Sequence, residues 1–286
     1  MQRATAGWGS GMLGVVIFSG SLPATRVAVG SFTPLFLTAA RAVIAAALAA
    51  ALLAALRQAR PARGDLGSLA IVALGVVAGF PLLTALALQH ITSARSIVFI
   101  GLLPLATAAF GVLRGRERPK PAFWLFAGAG SLAVAGFALA QGGGASLAGD
   151  LLMVLAILLC GLGYAEGATL ARRLGGWQVI SWALVLASPA TVVAALATMP
   201  EAWTGIGAPA WIGLGYVSVF SMLVGFVFWY RGLALGGIAG VGQLQLLQPF
   251  FGLTLAGLLL GEAVAWTMVA VTGLVVLCVA GAKRFA

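Results

Sequence analysis

Apolar positions in this chain fall into long blocks, each closed by a short group of Gly, Pro or basic residues. Ten blocks of roughly 20 residues can be read, near 8–28, 34–56, 69–90, 94–113, 122–141, 149–171, 177–199, 210–231, 238–259 and 264–282. As an α-helix each spans about 30 Å, the hydrocarbon thickness of a bilayer. The links between blocks are short and leave no room for a soluble domain. Lipid offers backbone N–H and C=O groups no partners, so each block must satisfy its own. The pattern predicts an all-α membrane protein with ten transmembrane helices.

The blocks repeat. Ala94, Pro104 and Glu117 recur as Ala239, Pro249 and Glu262, and Gly128 and Gly136 recur as Gly273 and Gly281, each displaced by 145 positions. The repeat predicts a first five-helix unit over 1–141 and a second over 142–286. Five crossings is an odd number, so the second unit enters the membrane upside down relative to the first. Inverted repeats that bind a solute near the midplane are a transporter architecture.

Composition agrees, with 62% hydrophobic and 8% charged residues. The net charge of +10 raises the question of nucleic acid, and its placement answers it. With the N-terminus inside, the inner ends of the spans receive Arg3, Arg57, Arg60, Arg63, Arg114, Arg116, Arg118, Lys120, Arg172, Arg173, Arg231, Lys283 and Arg284, which is 13 of the 16 basic residues. The positive-inside rule therefore predicts that both termini are cytoplasmic. The charge sets topology, and no nucleic-acid partner is expected. Cys160 and Cys278 lie within apolar spans, where thiols act as small hydrophobes and no disulfide framework is suggested. The N-terminal run is read as a span and not a signal peptide, because cleavage near Ala24 would delete a helix that the repeat needs.

The punctuation resembles the drug/metabolite transporter superfamily, specifically its EamA-type members. The matching residues are Trp8-Gly9 in a small-residue-rich first helix, Pro34 followed by Arg41, Ala85-Leu86 before Thr92-Ser93-Ala94, Pro104-Leu105 and Glu117. In the second copy they are Gly149-Asp150, Gln248-Pro249 and Leu260-Gly261-Glu262. The resemblance covers essentially the whole chain and implies a ten-helix exporter. It is less specific for substrate, since members move amino acids, sugars, nucleotides and drugs; the chain looks most like the bacterial aromatic-amino-acid exporter branch. Many members carry a Lys in the first helix where this chain has Ser19 to Pro23, so a role resting on that Lys does not transfer.

Polar side chains inside a bilayer are costly and mark candidate pathways. Gln245 and Gln248 in the ninth span are three apart and share a face, roughly 10 and 15 Å deep. Pro249 has no N–H, which leaves the Gln245 carbonyl without its helical partner. Two amides and a freed carbonyl suit the ammonium and carboxylate of a zwitterion; the competing reading is interhelical glue. Gln243 points away. In the fourth span Pro104 frees the Ile100 carbonyl, and Ser96, Ile100 and Leu103 form the equivalent, greasier face. Phe80, Phe99, Tyr216, Trp182, Phe220 and Trp229 are candidates for further apolar surface. Trp8, Trp124, Trp177, Trp203, Trp211 and Trp266 read as interface belts.

Arg26, Arg41 and Arg95, with His90 nearby, fall at the outer side of the first unit, where they would draw in a carboxylate-bearing solute. For Arg41 the alternative is a bond to helix-end carbonyls or lipid phosphate. Glu166 lies inside the sixth span near its inner end, and pairing with Arg231 would close the inner mouth; the alternative is that it snorkels to water. Asp65, Asp150, Glu117, Glu201 and Glu262 sit at helix ends and read as structural, with Asp150 a candidate cap for the sixth helix.

No nucleophile–base set, metal-spaced cluster or GxxxxGK[ST] run is present, so neither an enzyme, a metal site nor a cofactor is expected. The reading is a monomeric exporter of small amphiphilic metabolites, amino acids with apolar or aromatic side chains above all, working by alternating access as a uniporter. Its partners are the small-molecule solute and membrane lipid. The alternative is a proton-coupled drug/metabolite antiporter in which Glu166 or His90 carries the proton. A lipid-linked enzyme or flippase partner would need a catalytic or headgroup cluster.

Overall fold

The computed structural model describes residues 2–87, 89–91, 96, 99–140, 146–260 and 266–286. Thr92, Ser93, Ala94, Arg95, Gly261 and Glu262 lie outside the described residues, as does the side chain of Arg26. The described residues form ten helical stretches: α1 (Gln2–Ser19, continuing as Ser21–Ala28), α2 (Pro34–Ala55), α3 (Arg63–Ala87), α4 (Leu103–Gly115), α5 (Pro121–Ala140), α6 (Leu147–Leu174), α7 (Gly176–Ala197), α8 (Ala208–Gly236), α9 (Ile238–Gly242, Gln243–Leu247 and Gln248–Leu260) and α10 (Trp266–Phe285). Among the described residues α2, α3, α6, α7 and α8 are each long and apolar enough to cross a membrane. No strand occurs among the described residues. Side chains such as Leu125, Leu132 and Ile212 point outward more than 70% exposed, as a lipid-facing surface requires.

Local chemistry sets the ends. Thr33 caps α2 by accepting the Phe36 N–H at 3.2 Å, with Pro34 in the first turn. Ser146, and not Asp150 as expected, supplies the capping oxygen of α6, accepting the Gly149 N–H at 3.4 Å. The link from α8 to α9 is the single residue Gly237, and its φ of 92° is open to glycine at little cost. The start of α9 is capped from the other unit: the Glu117 carboxylate accepts the N–H groups of Ile238 and Ala239, both at 2.7 Å.

The packing repeats as the inversion demands. α1 packs on α8, and their inverted counterparts α6 and α3 pack on each other; α2 packs on α7 and α5 on α10. The α1–α8 seam is made by glycines. A Cβ on Gly7 would lie 2.5 Å from the Gly236 nitrogen, and one on Gly232 would lie 2.6 Å from the Gly11 nitrogen. On the α3–α6 seam, a Cβ on Gly75 would lie 2.5 Å from the Leu159 carbonyl oxygen. With lipid as apolar as the helix faces, close backbone approach and van der Waals contact hold such helices together. Both termini lie at the same end, where the Lys283 ammonium sits 4.6 Å from the Trp8 ring centroid and the Lys120 N–H donates to the Phe285 carbonyl.

Four interruptions are also placed by the inversion. Ala73–Gly79 in α3 and Val217–Val224 in α8 are π-helical. The Phe80 N–H bonds the Gly75 carbonyl and the Gly225 N–H bonds the Phe220 carbonyl, each pair displaced from the other by the same 145 positions. Ahead of Pro104 and Pro249 the chain tightens instead: the Leu102 N–H donates to Phe99 at 2.8 Å, and Gln243–Leu247 is a 3-10 segment.

Gly232→Leu should lower the thermal unfolding midpoint of the detergent-solubilised protein, since backbone atoms across the seam cannot give way and overpacking costs about 1–3 kcal/mol. Gly9→Leu, on the exposed side of α1, the partner helix of that seam, with nothing within 4 Å, should leave it near the parent value. Equal effects would contradict the glycine seam.

Candidate functional site

The interruptions face a common space. A cavity of about 80 Å³ lies between the two units, lined from α1 by Phe18, Ser21 and Thr25 and from α2 by Arg41. From α3 come Val76, Phe80 and Thr84, and from the fourth span Ile100 and Leu103. The second unit adds Tyr164, Ser221, Phe226, Gln245 and Gln248. At roughly 10–15 Å³ per water, the space holds several waters or a small solute.

The amide wall is as expected in residues but different in bonding. Gln245 is 1% exposed; its Nε2 donates to the Tyr164 hydroxyl at 3.1 Å, and its Oε1 has no partner. Its carbonyl is not free. The 3-10 turn brings the Gln248 N–H onto it, replacing the bond that Pro249 cannot make. Gln248 reaches α1, donating from Nε2 to the Phe18 carbonyl at 3.5 Å. That contact sits where α1 breaks ahead of Pro23, and the Ile17 carbonyl at the same break accepts the Tyr216 hydroxyl at 2.7 Å. Gln243 is buried away from the cavity, with its Nε2 on the Ala239 carbonyl.

Of the aromatic candidates, Phe80 lines the cavity. Tyr216 stacks on Phe220 beside the α1 break, and Phe99 and Trp182 pack half-buried against the core; none of these four lines the space. His90 is exposed at the end of α3. The sequence reading passed over Tyr164, Ser21, Ser221 and Thr84, and for Arg41 it left open both a part in drawing in a carboxylate-bearing solute and a bond to helix ends or lipid. Arg41 is only 9% exposed in the cavity wall, its Nη2 3.4 Å from the Ser221 hydroxyl.

Glu166 does not pair with Arg231, which is exposed. It accepts the Arg114 Nε at 2.7 Å and the Ser68 hydroxyl. Two further ion pairs lie at the same end: Arg172 to Glu117 at 2.8 Å and Arg173 to Asp65 at 2.6 Å. All three join a first-unit residue to a second-unit residue across the basic end of the bundle. The opposite end has aromatic packing, with Trp203 stacked on Trp211 beside Phe32 and Phe36.

A two-unit bundle, closed by ion pairs at one end and holding a cavity among broken helices, matches known transporters over its whole length. The model of the EamA-like transporter family matches twice, over residues 6–139 and 147–282. The chain belongs to the EamA-like transporter family. It is 66% identical over 286 residues to the "Uncharacterized transporter YdeK" of Bacillus subtilis (strain 168), covering 100% of both chains. Over 127 residues it is 26% identical to the "Uncharacterized transporter sll0355" of Synechocystis sp. (strain ATCC 27184 / PCC 6803 / Kazusa), covering 43% of this chain and 38% of that one. A solved crystal structure superposes with a TM-score of 0.83 over 99% of this chain and 100% of its own, at 19% identity, which shows a shared fold. Relatives and family are transporters and not enzymes.

Because Tyr164 holds one end of the Gln245 amide, Gln245→Leu should slow transport of a labelled solute that the parent protein moves, by roughly one to two orders of magnitude at about 1–3 kcal/mol for a lost buried partner. Tyr164→Phe should produce a smaller loss of the same kind. Parent-like rates in both variants, at normal folded levels, would make the amide wall structural.

Proposed function

We propose that this transporter exports small amphiphilic metabolites, amino acids with apolar or aromatic side chains above all, across the bacterial inner membrane by alternating access. The observation that carries the reading is the mixed lining of the cavity: amides and hydroxyls from both units, together with Phe18, Phe80, Phe226, Val76, Ile100 and Leu103. A zwitterion exchanges water for the fixed polar groups and buries its side chain against the apolar ones. Such a site suits the aromatic-amino-acid exporter branch that the sequence resembles.

With the basic end in the cytoplasm, the three inter-unit ion pairs form an inner gate and the cavity belongs to an outward-facing state. Each pair joins a solvent-exposed arginine to a largely buried carboxylate, so rocking of one unit against the other opens the gate by drawing the arginines off into water. Glu166 then gates through Arg114 and Ser68. Uniport is favoured because no acidic residue or His is among the described residues lining the cavity.

Liposomes containing the purified protein and loaded with radiolabelled L-phenylalanine should release it without an imposed pH or voltage gradient, and Glu166→Gln should change the rate without changing that independence. Uphill movement driven by a proton gradient, and lost in Glu166→Gln, would replace uniport by antiport. For topology, the two native cysteines are buried, so single cysteines at Arg60 and Ser146 can be probed with membrane-impermeant maleimide. They should label from opposite sides, the former from the cytoplasm; same-side labelling would overturn the inverted ten-helix arrangement.

A further inference from the structure

Arg41 lies seven residues after the start of α2, roughly 10 Å along the helix axis, where an uncompensated cation is costly. Its hydrogen bonding is thin. Nη2 makes the one contact with Ser221, at 3.4 Å, and that hydroxyl also accepts from Ser21 at 2.8 Å. Nε is buried with no partner. The ion pairs described engage Asp65, Glu117 and Glu166, all with other arginines and all at the basic end, and no carboxylate among the described residues reaches Arg41. Yet this guanidinium lines the cavity, together with a second unsatisfied group, the Thr84 hydroxyl. A planar fork of N–H donors with hydroxyls beside it matches a carboxylate in both shape and charge. The unpartnered Gln245 Oε1 on the cavity wall of α9 accepts and does not donate, which is the complement an ammonium group needs.

We propose that Arg41 is the carboxylate anchor of the central cavity, with Thr84, Ser21 and Ser221 around the anion and Gln245 Oε1 receiving the ammonium of a zwitterion. The transported class is then organic carboxylates, and the solute's anion supplies the missing counter-charge of Arg41. The inference rests on the cavity being the transport site, but not on the solute being an aromatic amino acid.

The test compares ligands that differ in one group. Thermal stabilisation of the detergent-purified full chain is measured with L-phenylalanine, 3-phenylpropionate, L-phenylalaninamide and 2-phenylethylamine, and then with acetate, lactate, succinate and L-alanine. At least one carboxylate should stabilise the parent protein, with its amide or amine counterpart roughly tenfold or more weaker, as expected for loss of a charged hydrogen-bond pair. Arg41→Gln should remove that preference, and Arg41→Lys, which keeps the charge without the fork, should retain part of it. Stabilisation by lactate or succinate but not by L-phenylalanine would uphold Arg41 as the anchor while refuting the aromatic-amino-acid reading. Two outcomes overturn the proposal: amides and amines binding the parent protein as well as carboxylates do, or no carboxylate of the panel stabilising it. The parent comparison decides the matter even if Arg41→Gln fails to fold. A preference for carboxylates that survives unchanged in a folded Arg41→Gln also overturns it.

Discussion

Hydrocarbon leaves a backbone N–H or C=O nothing to bond except the protein, and the whole architecture follows from how that demand is met. Most of the chain meets it with continuous helix. Where the chain departs from α-helix, the departure has its own repair: i→i+5 bonds in α3 and α8, i→i+3 bonds ahead of Pro104 and Pro249, and side chains at the α1 break. Several of these interruptions border the cavity, since irregular backbone at membrane depth is tolerated where it is buried in protein or lines a cavity. The cavity and the broken helices are therefore consequences of one another.

Because the two units are inverted copies, each solution is used twice, and differences between the copies carry the asymmetry of function. The glycine seam of α1 on α8 has its counterpart in α3 on α6, and the π segments match position for position. The ion pairs do not match. Displaced by 145 positions, Asp65, the Arg114–Glu166 pair and the Arg172–Arg173 pair fall on Ala210, Leu259 and Ser21, and Val27 and Ala28, none of which carries charge. One end of the bundle is tied electrostatically and the other is packed through aromatic rings.

The cavity shows a related asymmetry. The ninth span carries glutamines where the fourth carries Ile100 and Leu103, so one unit supplies amides and the other aliphatic surface. Arg41 breaks the pattern by placing a cation on the first unit's side, held by one long hydrogen bond to the second. A buried cation so weakly held across the interface between the two units lacks a counter-charge of its own among the described residues.

The sequence by itself determined the number of helices, the inverted repeat, the basic end and the glutamine face of the ninth span. These are one-dimensional properties: hydrophobic length, charge placement, a fixed offset and i,i+3 spacing can all be counted along the chain. It did not determine which helix faces meet. In a soluble helix the polar side announces the outer face, but here both lipid and core are apolar, so the period that would orient each span is faint. For that reason only the tertiary structure decided that Glu166 meets Arg114 and not Arg231, that Tyr164 and not Tyr216 reaches Gln245, and that Arg41 enters the cavity. The π segments were equally invisible: Ala73–Gly79 contains no proline, and its widened turns appear only where α3 packs on α6. The Gln245 carbonyl belongs with them, because proline shows that a bond is lost, while the tightened turn that restores it is a property of the folded backbone.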